Sequence, residues 1–321
     1  MTMQTPPTDQ GCGSEIHDGL GALHEVSTYL GFPFTLEEAA SYFLPRSNIT
    51  AAQLRSLLTS EGYADLNFVI KDGYLFTSHD QSITSRFERE QISAAKLDSA
   101  ASFANLLTRL VPFIRTIAVT GSVAYGSAGK WDDIDLFVVT ERRRLWLSNL
   151  LMLVQVRISK ILGVKSPHLL NFCLSYVHDQ DGFSNESQKN RTNALFAREL
   201  LKAKPVAGIN EYRKILEANR WVSDLYSIPY QQKLGLLGQG SDEEAESPST
   251  MKSKFRSFFL DWAEGIAYVT LSRYLRLRAY LANLKLKSEG KNLHAFEPII
   301  SSTSCIYTST FYRWLRSLWG T

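Results

Sequence analysis

The stretch Ile117–Thr140, IAVTGSVAYGSAGKWDDIDLFVVT, decides the fold. Two runs suited to buried strands, IAVT and DLFVV, flank a turn rich in Gly and Ser. The second strand opens on Asp133 and Asp135, one residue apart. Side chains at i and i+2 of a strand share a face. Asp133 and Asp135 therefore point together, Ile134 and Leu136 enter the core, and Asp132 takes the opposite face as an ordinary solvated residue. An apolar strand rarely begins with paired carboxylates unless something uses their charge.

Three chemistries place a glycine turn after a strand. A phosphate-binding P-loop needs Gly, four residues, then Gly-Lys-Ser/Thr. Gly121 and Gly126 keep that spacing, but Ser127 stands where the Lys belongs. A dinucleotide-binding turn needs Gly-x-Gly-x-x-Gly opening a long helix, and Val123 occupies the second Gly position. What remains is an apolar strand, Gly-Ser, about ten residues, then Asp-apolar-Asp. Gly121, Ser122, Asp133 and Asp135 in that arrangement resemble the signature of the polymerase-beta-like nucleotidyltransferase superfamily.

The resemblance implies nucleotidyl transfer from an NTP, with ATP the default, to an acceptor hydroxyl, and it implies Mg²⁺, with Mn²⁺ as the substitute. The residues make physical sense in those roles. A Gly beside phosphates lets backbone N–H groups approach with no Cβ in the way. Ser122 adds a hydroxyl donor, Lys130 a cation, and the turn VAYGSA aims its positive end at the anion. Two carboxylates on one face suit a hard divalent cation. Asp133 and Asp135 are thus the expected catalytic and metal-binding pair. Many members of the superfamily carry a third carboxylate on the following strand. Here that strand, LLNFCLSYV, shows Asn171, Cys173 and Ser175 on its polar face, so Asn171 is the expected third ligand. Asp179 is the first carboxylate after it.

Working outward, the chain reads as α+β in several parts. Residues 1–13 are expected to form a disordered tail. Residues 14–80 hold three short helices and a hairpin around Asp72-Gly73, the strongest short hairpin signal, with capping boxes at Thr35/Glu38 and Thr50/Gln53. This order resembles a winged-helix domain whose third helix carries Gln53, Arg55 and Ser56. A connecting helix spans 81–111, a small mixed-sheet nucleotidyltransferase core 112–185, and a helical C-terminal domain 186–321, interrupted by a flexible Gly/Ser/acidic loop at 233–252. The layout, with the segment FARELLKAKPV, also resembles a prokaryotic group within the superfamily over roughly Gly19 to Tyr226.

Composition narrows the classes. With 321 residues, the chain can bury a sizeable core. A net charge of +3 does not by itself indicate nucleic-acid binding. From Met251 onward, however, there are 11 Lys/Arg against 4 Asp/Glu, an excess of seven. Three scattered cysteines, Cys12, Cys173 and Cys305, suit a reducing cytoplasm and offer neither a disulfide framework nor a zinc cluster. No signal peptide or membrane span is expected, and no membrane partner.

Several other residues have two readings. Arg142, Arg143 and Arg144 leave from the far end of the aspartate strand and read as a basic turn pairing with Glu141 or the linker rather than as phosphate ligands. Arg198 and Glu199 read first as an ion pair on a helix face and second as a cap on the pocket. Trp221 and Tyr226 read as core before base-stacking, and His168 and His178 as structural. Nucleic acid is the expected macromolecular partner if one exists, through the winged helix or the strip Arg273, Arg276 and Arg278. The competing function is a non-catalytic DNA-binding regulator whose degenerate central domain senses a nucleotide.

Overall fold

The computed structural model describes residues 10–60, 63, 66–77, 81–161, 172–238, 254–289 and 296–318. The central strands form where the sequence is apolar at period two. β4 (Ile114–Thr120) and β5 (Ile134–Thr140) pair antiparallel, with Thr120 opposite Asp135. β6 (Phe172–Asp179) joins β5 in parallel, with Cys173 beside Asp135. Helix α6 (Leu145–Ile161) provides the crossover that a parallel pair requires.

β7 (Lys204–Ala207), β8 (Phe296–Ile300) and β9 (Ser304–Ser309) complete a six-stranded sheet in the order β7-β4-β5-β6-β9-β8. The sheet is mixed, as expected. The C-terminal region is mainly helical but also returns these three strands to the core. None shows a clear alternating run, and Pro205 and Pro298 fall inside two of them. Helix α11 (Ser227–Gly238) extends through the first part of the expected loop, so 233–238 are helical; residues 239–252 lie outside the described residues.

Alternation along β5 sorts the two faces of the sheet. Ile134, Leu136 and Val138 pack into one core with α4 (Ile83–Leu110), α6 and α12 (Lys254–Ser288). Phe137 and Val139 pack into the other, with α7 (Gln180–Lys189), α8 (Ala194–Lys202), α9 (Ile209–Ala218), α10 (Val222–Leu225) and α11. Trp221 stacks on Phe196 and Tyr226 is buried in this second core, as core aromatics. His178 is buried against Ser304, its Nδ1 3.0 Å from Oγ, and burial pushes its pKa down to about 4.

Described residues between Ile16 and Leu75 pack as a third core. Helices α1 (Gln10–Leu30), α2 (Leu36–Glu38, continued by a wide turn over Ala39–Phe43) and α3 (Ala51–Leu58) pack with a small sheet. β1 (Phe34–Thr35), β2 (Val69–Lys71) and β3 (Tyr74–Phe76) are ordered β1-β3-β2. Both expected capping boxes are present. The hairpin turns at Asp72-Gly73, both at positive φ.

Arg86 of α4 ties this unit to the rest. Its guanidinium donates to both Glu38 carboxylate oxygens, at 2.9 and 3.0 Å, to Glu90 at 2.9 Å and to the Pro33 carbonyl at 2.7 Å. It also lies over the rings of Phe32 and Tyr74. Glu38 simultaneously closes the α2 capping box by accepting from the Thr35 N–H. Glu38→Ala opens the box and removes a carboxylate from a buried guanidinium, so it is expected to destabilise the chain by about 3 kcal/mol. Urea titration measures this, and a loss below about 1 kcal/mol would show that the pair behaves as a surface ion pair.

Among the described residues, no helix is long and apolar enough to cross a membrane.

Candidate active site

The Gly-Ser turn and the second aspartate meet. Gly121 has φ +64°, and a Cβ built on it would lie 2.4 Å from Asp135 Oδ2. The positive φ favours glycine here, and any Cβ would push the Asp135 side chain aside. α5 (Gly121–Tyr125) is a single turn closed by Gly126 at φ +77°. A helix that short contributes little as a dipole, so the anion-binding capacity of the turn lies in individual N–H groups and the Ser122 hydroxyl. Ser122 is half-buried, and its carbonyl accepts from the Ser127 N–H at 2.9 Å. Asp135 is half-buried on the strand face opposite Ile134 and Leu136, and Asp133 lies exposed just ahead of the strand.

The loop between these groups is held by α4, whose expected part from sequence is that of a connector alone. Lys96 is 3 % exposed and donates to the Gly129 carbonyl at 2.8 Å and the Asp132 carbonyl at 2.5 Å. Ser93, one turn earlier, accepts from the Ala128 N–H at 3.0 Å. Asp132 accepts from the Gly129 N–H at 2.8 Å, a local turn role in keeping with its expected place outside the site. Burial holds the Lys96 ammonium below the ordinary lysine range, against the pull of Asp132 and Asp133. Partial desolvation raises the Asp133 carboxyl; Lys96 opposes that shift and Asp132 adds to it. A signal for Lys96 did exist: Ser93 and Lys96 continue upstream the buried stripe Ala100, Phe103, Ala104, Leu107.

α8 brings further groups to α5. The Tyr125 hydroxyl donates to Glu199 Oε1 at 2.8 Å. The Arg198 guanidinium, 3 % exposed, lies 4.5 Å from the Phe43 ring centre and 5.7 Å from that of Tyr125. These two residues therefore turn inward onto the Gly-Ser helix instead of forming a solvated pair on a helix face. The Lys202 ammonium is 4.0 Å from the Tyr42 ring centre and 5.4 Å from that of Tyr125. Lys204 pairs with Val119, two residues before Gly121, and Lys233 donates to the intervening Ala203 carbonyl at 2.6 Å. The three lysines thus lie close enough to repel one another, with Lys202 against Tyr125 of α5.

Lys130 is exposed, with its ammonium 5.1 Å from the ring centre of its neighbour Trp131. Arg142 pairs with Asp181, and Arg143 and Arg144 pair with Asp261, so the basic turn is structural; its partners are these aspartates, while Glu141 pairs with Arg115. Asp179 caps α7 and accepts from the Arg143 N–H at the far end of β6. Asn171 and His168 lie outside the described residues. Among the described residues, no cluster of three or more His, Cys, Asp or Glu is placed to hold a metal. Two carboxylates still fit Mg²⁺, which commonly takes one or two from the protein and completes its shell with water and substrate phosphates.

A cavity of about 850 Å³ opens elsewhere, against α1 and the segment before α8. Its lining includes Arg46, Lys189, Arg191 and Arg316, and neither Gly121 nor the two aspartates.

No curated protein and no solved structure matches the chain. The family model described as "Nucleotidyltransferase domain" matches residues 101–199, from the second half of α4 to Glu199 of α8. That span contains the Gly-Ser turn, both aspartates and the Arg198-Glu199 pair, and it is a nucleotidyltransferase domain consistent with the polymerase-beta-like superfamily.

Proposed function

We propose that the protein transfers a nucleoside monophosphate from an NTP to an acceptor hydroxyl, releasing pyrophosphate, in the cytoplasm. The close approach of Gly121 to the Asp135 carboxylate carries this reading, because it sets a Cβ-free stretch of backbone directly against a carboxylate that would hold the metal. Asp133 and Asp135 hold Mg²⁺, or Mn²⁺ in its place. When bound, the ion neutralises phosphate charge and lowers the pKa of the attacking hydroxyl. The Gly121 and Ser122 N–H groups and the Ser122 hydroxyl orient the phosphates, and Lys96 keeps the intervening loop in register. The test is incubation with labelled NTPs, Mg²⁺ and a cell extract. Label transferred to a small molecule, RNA or protein supports the reading; no transfer with any NTP rejects it.

Lys202, Lys204 and Lys233 steady the polyphosphate from the α8 side. Burial, with repulsion from Lys204 and Lys202, holds Lys233 down to about 8. Its charge is therefore lost as pH rises through that value. Nucleotide affinity is expected to weaken over the same range, and Lys233→Gln to flatten the dependence; fluorescent-NTP titration between pH 7 and about 9.5 checks this. Folding stability should move the opposite way. The unfolded chain keeps this proton longer, so stability rises from about pH 8 toward the ordinary lysine pKa.

A second reading, nucleic-acid contact by a winged-helix N-terminal domain, is favoured by the β1-β3-β2 order and by the cationic groove beside α1. Duplex DNA affinity that falls steeply with salt supports it; affinity too weak to detect at low salt removes it.

A further inference from the structure

Helix α12 is apolar on two opposite faces. Ala267, Leu271 and Leu275 pack into the core with the sheet and α6, and Ala279 on the same face is also buried. On the other side Phe259, Trp262, Ile266, Val269, Tyr280 and Leu284 are exposed, with Phe259 at 65 %, Trp262 at 60 % and Tyr280 at 60 %. They follow one another at steps of three and four residues, broken only by Arg273 and Arg276, and so form one stripe along the helix. A helix apolar all round is ordinarily covered all round. With Phe258 and Leu277 the stripe presents on the order of 1,000 Å² per chain, against roughly 800 Å² per partner in a stable interface and a few hundred Å² for the largest patch on a typical monomer.

We propose that this stripe is the interface of a homodimer in which two copies of α12 pack antiparallel. The distribution of charge selects the occupant. The two α12 carboxylates, Asp261 and Glu264, turn inward to Arg144 and to the first N–H groups of α6. The exposed stripe is therefore aromatic toward its N-terminal end and cationic toward its C-terminal half. A parallel pair would set Arg273 against Arg273. An antiparallel pair with its two-fold axis near Val269 sets Trp262 against Arg276 of the second copy, and Gly265, which leaves room, against that copy's Arg273. Guanidinium over indole is a favourable contact, and two-fold dimers are the commonest assemblies.

Sedimentation of the full chain tests the proposal. Wild type is expected at twice the chain mass at micromolar concentration. Val269→Lys, which places two added cations on the axis, and Trp262→Ala are each expected to raise the dimer dissociation constant at least about tenfold with unchanged circular dichroism. Val269→Cys is expected to cross-link between copies under mild oxidation, above a wild-type control that carries the native cysteines. A monomer at all accessible concentrations, or a dimer indifferent to both substitutions, overturns the proposal. So does a monomer that sediments with anionic vesicles or duplex DNA through this stripe, since it assigns the face to another partner.

Discussion

Asp135→Asn is expected to abolish nucleotidyl transfer while leaving the fold intact. The substitution preserves the shape and half-buried position of the side chain and removes only its charge. A carboxylate that shares a divalent cation with the triphosphate contributes several kcal/mol to the transition state, so the rate should fall by about 10³-fold or more. Thermal unfolding should shift by no more than a few degrees, because Ile134 and Leu136, which anchor this part of β5, are untouched. Gly121→Ala should separate the two partners differently. Its methyl group would sit 2.4 Å from Asp135 Oδ2 at a backbone φ of +64°, so Asp135 or the turn must move. That strain costs about 1–2 kcal/mol of stability, and activity should drop by about 10²-fold from misplacement alone. Asp133→Asn is expected to resemble Asp135→Asn. More than a tenth of wild-type transfer in the Asp135→Asn protein, measured with saturating Mg²⁺, would remove that carboxylate from metal binding.

What the sequence disclosed, and what it hid, follows from the range of the interactions involved. β4, the Gly-Ser turn and β5 are contiguous, and period-two patterning with a positive-φ glycine is local information. The capping boxes at Thr35 and Thr50 were legible for the same reason. β7 and β9 are strands only because β4 and β6 supply their hydrogen bonds, so no local pattern marks them. Arg198 and Glu199 looked like an ordinary pair on a helix face. Their partners, Tyr125 and Phe43, are remote in the chain, and only packing turns them onto α5. The aspartate pair stands out because its spacing is local, and Lys96 lies on a buried stripe that the helix period marks; Lys202, Lys204 and Lys233 carry no such mark, since a cation acquires a site role only from what lies beside it.

Lys96→Met is the substitution that distinguishes support of the loop from participation in the chemistry. Methionine keeps most of the buried stem, so packing in α4 survives. The lost ammonium leaves the Asp132 carbonyl without the lysine donor and the Gly129 carbonyl with the Asp132 N–H alone. At the usual cost of one acceptor losing its donor the chain should lose about 1–3 kcal/mol, read from the urea midpoint. A merely structural lysine would have no further effect. Here it also holds the Asp133 carboxyl down against desolvation and the neighbouring Asp132. Without it, Asp133 binds its proton at higher pH, and the acidic limb of the transfer-rate profile moves upward. Lys96→Arg, which restores a cation at the cost of a larger head group, should return that limb toward its original position while recovering only part of the stability. An acidic limb fixed in all three proteins would confine Lys96 to the loop, because the carbonyls it holds do not titrate and the carboxylate beside it does.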